Sequence, residues 1–596
     1  MKKKIFGILF AAVLAVSLTL VPALADNDGM PAGEDTFDCA PYSIGCTDIL
    51  VGKDASADGS VMGSYCCDGA IYSKLEVIPG EQHEPGTMIP LYYRPYGIYD
   101  EEYDEEDVYL GEIPQVEETY RYVASIVYID DQWVGGLNEH GLWLGETTIG
   151  GKRILRFNPN AWMWVYSNFQ ETSLMSLALQ RAKTAREAIQ VMGELAETYG
   201  YHQFGEHVTV VDGNEVWAFE IFGPGPDWTH DCDKPGAVWA AQRVPDDHVA
   251  FSANRARIGE IIEDDPDNFM YSSNVYDLAL ELGLWDGEEP FIWYYVYGGR
   301  GHALSLREWS VYNLVAPSKN IEQGAEEWPF SVEPDNPVSV QDVINIHRDY
   351  FTGIEDLDVT MDPAYQIDGE TSPLASPFGP SELHKLLGIR PQRSIATRAS
   401  VFVNVAQVRD WLPEPVKGVL WHGAGPGVPT LHVPVYSGVT ELPDEWTYTP
   451  KTYYDRDSAW WAFTFVDGLS LIKWQDTIED IRAVRDPAEA ALFAKQDEVE
   501  SVAVELYEET KGWGGEEAAK EFITRYSNLS MSAVSDAYWE LFDYLLFKYF
   551  FRAGEYVTGR LSITPPVVAV PEVDEILTLV PPIGPPKGPP AGVPAA

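Results

Sequence analysis

The chain is short of positive charge, short of cysteine and, beyond its first 25 residues, without a long apolar run. Forty Lys and Arg against 93 Asp and Glu leave a formal net charge of -53 at pH 7. Such a surface repels phosphates, so nucleic acid and anionic membrane surfaces are poor partners, whereas cations, high salt and cationic substrates remain compatible. Five cysteines in 596 residues, Cys39, Cys46, Cys66, Cys67 and Cys232, are too few for a disulfide scaffold. Adjacent Cys66 and Cys67 on a strand point to opposite faces, which disfavours a vicinal bridge. No Cys-x-x-Cys and no His-Glu-x-x-His occurs, so neither a metal nor a cofactor is expected. The densest acidic run, Asp100 to Asp107, lacks the spacing of a calcium loop and reads as a solvated surface loop. After the first 25 residues nothing approaches the ~18 to 20 continuous apolar residues that a spanning helix needs. No internal repeat is present.

What is there begins with Lys2, Lys3 and Lys4, an apolar run from Ile5 to Val21, and Ala23-Leu24-Ala25. This order is that of a secretory signal over residues 1–25, although the same run would also serve as an uncleaved anchor. Cleavage of the signal predicts a secreted or extracytoplasmic protein free of the membrane. Residues 26–45 form a polar spacer without periodicity, followed by Cys46 at the head of the apolar strand Thr47 to Gly52. A cut between Gly45 and Cys46 would place a thiol and a free α-amine on one residue. With an unperturbed pKa near ~8, that amine is a natural general base for the thiol. The spacer is then a pro-segment; the other reading is a flexible exported N-terminus with an ordinary strand cysteine.

Strand patterns dominate the first half: Thr47 to Gly52 with Ser60 to Tyr65, then Arg121 to Tyr128, Trp133 to Leu137 and Leu142 to Thr148. His207 to Val211 and Glu215 to Ile221 flank the tight-turn sequence Asp212-Gly213-Asn214, and Ala237 to Arg243 and His248 to Ser252 follow. From Thr184, apolar residues at Ala185, Ala188, Ile189, Met192, Leu195, Ala196 and Tyr199 form one helical stripe behind a Thr184/Glu187 capping box. Asp486-Pro487 reads as a helix start, giving helices over 487–511 and 515–552. From Thr564, ten prolines among 33 residues predict an extended, mobile tail, assigned to residues 561–596.

The Cys46-Thr47 start, the turn Lys53-Asp54-Ala55-Ser56-Ala57-Asp58-Gly59-Ser60 and the following Asp68-Gly69 resemble the dipeptidase A family of cysteine N-terminal-nucleophile (Ntn) hydrolases. That family is related to penicillin V acylase and bile salt hydrolase. Further matching stretches are Asn138-Glu139-His140-Gly141-Leu142, Gly145-Glu146-Thr147-Thr148, Ala182 to Ile189, Gly236 to Trp239, Ser252-Ala253-Asn254 with Arg257-Ile258, and Trp411-Leu412-Pro413 with Gly418 to Trp421. The resemblance covers roughly residues 46–555. It implies an α+β, four-layer αββα Ntn sandwich with C-terminal helical additions over residues 46–560.

By the same resemblance Cys46 is the nucleophile, Asp68 orients it or its amine, and Asn254 helps hold the oxyanion. Arg257 is the candidate for a substrate carboxylate, Asp68 or Glu146 is the candidate for the substrate amine, Glu146 also lines the pocket, and Thr148 lies near the oxyanion. In this family an arginine often precedes the aspartate by three residues, whereas this chain has Tyr65. His140 falls in a hairpin turn and reads as a surface histidine. The implied activity is hydrolysis of short peptides. An N-acyl amide hydrolase uses the same constellation, and a non-catalytic cell-surface binding protein is the reading from outside enzymes. The oligomeric state has no signature in the sequence.

Overall fold

The computed structural model describes residues 45–69, 72–93, 108–127, 132–166, 172–299, 301, 303–509, 511, 514–550 and 564–580. The expected signal, the pro-segment up to residue 44, the acidic run at 100–107 and most of the tail lie outside the described residues.

Two antiparallel sheets organise the chain. The first has seven strands in the order Ser331–Val332, Val249–Ser252, Thr47–Val51, Val61–Asp68, Ser400–Val408, Gly418–Gly423 and Val433–Tyr436. The second has eight: Phe269–Tyr271, Val238–Arg243, Val216–Phe222, Glu206–Val211, Trp143–Thr148, Gln132–Asn138, Tyr122–Val127 and Ser73–Ile78. Most of these strands are buried along their whole length, including all of Val61–Asp68. A strand covered on both sides must be built from residues that tolerate dryness on either face, which is why these segments read as continuous apolar runs. The strands expected between residues 47 and 252 have boundaries within two residues of those observed, except that Val61–Asp68 runs three residues past the expected end at Tyr65. Ser73–Ile78, Met88–Tyr93 and Val108–Pro114 were not expected. The Asp212-Gly213-Asn214 turn joins its two strands in register, Val216 opposite Val211.

The two sheets meet closely. A side-chain carbon on Gly63 would stand 2.6 Å from both Trp143 and Val211, so only glycine allows the strands to approach there. Polar contacts also cross the gap: the Thr209 hydroxyl donates to Asp48 Oδ2 at 2.8 Å, and the hydroxyls of Thr147 and Ser252 are 2.5 Å apart.

Helices pack on each sheet. On the second lie Leu174–Arg181 and Ala185–Tyr199, the latter started by the expected capping box of Thr184 and Glu187. On the first lie Leu306–Val315, Val340–His347 and the long pair Trp474–Glu509 and Gly515–Leu545. The long helix does not start at Pro487 as its sequence suggests, because Pro487 sits inside Trp474–Glu509. A proline there frees the carbonyl four residues earlier and costs about 3 kcal/mol. Buried Ile481, Val484, Ala488 and Leu492 on the same stripe offset that cost through packing. The expected tail also holds structure: Val573–Leu579 is helical, and its Val573 and Ile576 join the main core. Between flanking prolines the segment Val573 to Leu577 presents apolar residues at helical spacing, and docking on the long helices orders it.

Candidate active site

Cys46 stands at the head of a central strand of the first sheet and is 8% exposed. Thr47 lies opposite Cys66 in the antiparallel register, which brings Cys46 beside Cys67 on the neighbouring strand. With the Gly45–Cys46 peptide intact, a hydrogen bond with Cys67, then burial, then the charges of Glu146 and Asp68 push the Cys46 thiol well up. A thiol so placed is a poor nucleophile until a base or a positive charge joins it.

Two arginines clasp the backbone at this point. Arg307, from the first turn of Leu306–Val315, donates to the Cys46 carbonyl at 2.8 Å, to Thr47 Oγ1 at 3.2 Å, to the Ala253 carbonyl at 3.1 Å and to Asn254 Oδ1 at 3.1 Å. Arg393, from the segment before strand Ser400–Val408, donates to the Gly45 carbonyl at 2.8 Å, to the Ile395 carbonyl at 3.2 Å and to the Asp68 carboxylate. The other Asp68 oxygen accepts from Ser400 Oγ at 2.7 Å and from the Cys66 thiol at 3.1 Å. Burial raises the Asp68 carboxyl, and Arg393, Ser400 and Cys66 pull against it. An isolated carboxylate in this setting would neutralise; this one has a cation and two donors to hold its charge.

Asn254 closes the other side. It is a non-glycine residue at φ 66°, in the left-handed region, a conformation that costs energy and persists where surrounding contacts impose it. Its amide nitrogen donates to the Thr148 carbonyl at 2.9 Å while Arg307 holds its oxygen. Thr148 therefore meets the site through its backbone. Glu146 connects through Tyr65, whose hydroxyl donates to Glu146 Oε1 at 2.6 Å. Tyr65 also bonds Cys67, so the residue that replaces an arginine links the acid to the thiol pair. Burial pushes the Glu146 carboxyl up to about 7, against hydrogen bonds with Tyr65 and the fully buried Glu206. A buried carboxyl raised in this way keeps its proton in the folded chain over a wider pH range.

That proton makes stability depend on pH. The folded chain retains it up to about 7, whereas the unfolded chain releases it near 4.5. The group's favourable contribution is complete below 4.5 and is lost as pH rises toward 7. Chemical unfolding across that window should show stability falling by on the order of 3 kcal/mol, and Glu146→Gln should flatten the fall. An unchanged slope in the variant would assign the effect to other groups.

Of the residues the sequence singles out, Cys46, Asp68, Asn254, Thr148 and Glu146 converge here. Arg257 does not join them. Its guanidinium donates to the Phe251, Pro329 and Phe330 carbonyls at 3.2, 3.2 and 2.9 Å and to the Tyr312 hydroxyl at 3.1 Å. It lies over the Trp328 ring at 3.6 Å and is 4% exposed. These are the contacts of a core arginine, and its guanidinium is engaged by carbonyls, a hydroxyl and a ring. Arg257→Ala should lower stability by roughly 3 kcal/mol or more through lost packing and orphaned carbonyls. Thermal unfolding checks this; a stable variant that selectively loses substrates with a free carboxylate would instead support carboxylate binding by Arg257. His140 lies in its turn, where it pairs with Glu414 at 2.7 Å and packs on Tyr120, but its side chain is only 12% exposed rather than lying on the surface.

Arg307, Arg393, Glu206 and Cys67 were not anticipated. Arg307 carries a readable signal: a cation in the first turn of a capped helix opposes the helix dipole and needs another partner. Arg393 sits in an irregular segment and carries none.

Residues 45–486 match the model of peptidase family C69, which begins at the Gly45–Cys46 pair. The chain belongs to peptidase family C69 and is a peptide-bond hydrolase. It is similar to a probable dipeptidase of Latilactobacillus sakei, 26% identical over 432 residues, covering 70% of this chain and 79% of the relative. It is likewise similar to dipeptidase A of Lactobacillus helveticus, 25% identical with 68% and 78% covered. A dipeptidase of Bifidobacterium longum is 22% identical with 72% and 77% covered.

Proposed function

We propose that this protein is an exported cysteine-type dipeptidase of the four-layer αββα Ntn class, whose nucleophile is Cys46 freed at its α-amine by cleavage after Gly45. The observation that carries the reading is the convergence of Asp68, Asn254, Arg307 and Arg393 on the Gly45–Cys46 peptide. A cysteine serving only as core filler has no need of two buried arginines on its backbone.

In the mature enzyme the α-amine takes the thiol proton, and the ammonium so formed lowers the cost of the thiolate beside it. Sulfur adds to the scissile carbonyl, with the oxyanion facing the amide of Asn254. The ammonium passes its proton to the departing amine, leaving a thioester on Cys46. Water, deprotonated by the amine, then releases the carboxylate and restores the thiol. The Glu146–Glu206 pair and Asp68 are the acids available to receive a substrate ammonium. Export rests on the order of charges, apolar run and small residues in 1–25.

A panel of free dipeptides, N-acyl amino acids and penicillin V tests the reading. Dipeptides should be preferred, activity should survive exhaustive chelation, and alkylation of Cys46 should end it. A preference for acyl compounds would make the protein an amide hydrolase of the acylase type, and loss to chelator with recovery on zinc would overturn the thiol mechanism.

A further inference from the structure

Arg393 has a place in the site that neither its sequence context nor the family pattern assigns. Its side chain is 1% exposed, and it reaches both the Asp68 carboxylate and the carbonyl oxygen of Gly45, the bond that must break to expose the amine of Cys46. The position where a family arginine often precedes the aspartate is Tyr65 here, turned to Glu146 instead. Arg393, distant in sequence, is the cation in direct contact with Asp68, with Arg307 adding a weaker pull from farther off. Gly45 itself is fitted tightly: a Cβ on it would stand 2.5 Å from Asn254 Oδ1.

We propose that Arg393 is the oxyanion donor of a self-cleavage reaction at Gly45–Cys46, with Asp68 fixing its guanidinium toward the Gly45 carbonyl. The inference rests on the reading of Cys46 as the N-terminal nucleophile. Cys46 Sγ adds to the Gly45 carbonyl carbon, and the charge that develops on the oxygen is met by the Arg393 N–H at the position it already occupies. The Gly45–Cys46 C–N bond then breaks, the thiol proton goes to the Cys46 nitrogen, and a thioester joins Gly45 to sulfur. Water adds to the thioester carbon, the C–S bond breaks, and Gly45 leaves as a carboxylate with the thiol and amine of Cys46 both free. The sum is one water added to one peptide bond, with no oxidant or reductant. A guanidinium suits this duty because its fork can serve two oxygens at once.

The test follows the fraction of full-length chain that begins at Cys46 over time, by intact mass, in wild type, Arg393→Lys and Arg393→Gln. Loss of one preorganised oxyanion donor slows such reactions by about 100-fold or more. Arg393→Gln should therefore accumulate uncut chain with a melting temperature showing it folded, and Arg393→Lys, which keeps a charged donor, should recover part of the rate. Hydroxylamine, which intercepts thioesters, should not rescue Arg393→Gln, because the defect precedes the thioester. If Arg393→Gln fails to fold, the neutral pair Arg393→Gln with Asp68→Asn removes both buried charges together and takes its place, with the same slow cleavage expected. Cleavage at the wild-type rate in a folded neutral variant, or full rescue by hydroxylamine, overturns the assignment to Arg393 alone. Wild-type chain that is never cut, or Cys46→Ala chain that still is, overturns the reading of Cys46 beneath it.

Discussion

Cys46→Ala is expected to abolish peptide hydrolysis while leaving the fold intact. Removing the nucleophile of a catalytic group that acts as a unit costs on the order of 10⁶-fold in turnover, which puts the variant below detection in an ordinary assay. Stability should change little, because the thiol is small and its neighbours Cys67 and Tyr65 keep other partners. Cys46→Ser should leave at most a trace, since a hydroxyl ionises far less readily than a thiol at neutral pH. The neighbouring thiols are the controls. Cys66 donates to Asp68 and lies 3.0 Å from the Ser400 hydroxyl, and Cys67 faces Cys46. Either one changed to Ala should keep measurable activity. A lethal Cys67→Ala beside an active Cys46→Ala would move the nucleophile one strand over.

The second large effect is expected at Gly45, where Gly45→Ala should leave most of the chain uncut. The new methyl carbon would stand 2.5 Å from Asn254 Oδ1 and 3.5 Å from an Arg307 nitrogen. Asn254 has little room to yield, since its oxygen is held by Arg307 and its nitrogen by the Thr148 carbonyl. The peptide must move instead, and displacing a reacting carbonyl by an ångström costs roughly 100-fold. Intact mass after expression gives the uncut fraction. Normal cleavage of Gly45→Ala would mean that the peptide reacts from another position than the one occupied here.

Nine strands between residues 47 and 252 were legible in the sequence because their signal is local, apolar runs bounded by Gly, Asn and Asp, whereas Ser73–Ile78 and the later strands Ser400–Val408, Gly418–Gly423 and Val433–Tyr436 were not assigned. Thr184 with Glu187 is legible for the same reason, since the capping box closes within one turn. Pro487 does not start the helix because the rule against interior prolines is also local, whereas the burial of Val484, Ala488 and Leu492 that outweighs it is set by tertiary packing. The segment Val573–Leu579 was missed likewise: its composition reads as tail, and only docking of Ile576 makes it helix.

The site divides along the same line. Cys46, Asp68 and Asn254 stand beside recognisable strand and turn patterns, so their positions could be marked. The charges that serve them come from afar, Arg307 from 261 residues beyond Cys46 and Arg393 from 325 residues beyond Asp68. No spacing rule links such residues. Arg257 shows the converse, a cation beside the right motif whose partners in the fold are Phe251, Tyr312, Pro329 and Phe330.

The central claim is that the working nucleophile is an N-terminal cysteine, and the most direct measurement is the N-terminal residue of the active protein. Intact mass and N-terminal sequencing of purified, active enzyme should give Cys46 as the first residue, with activity rising in step with the fraction that begins there. A fully active chain that still carries Gly45 ahead of Cys46 would contradict the account, because its cysteine nitrogen would be an amide with no base to offer.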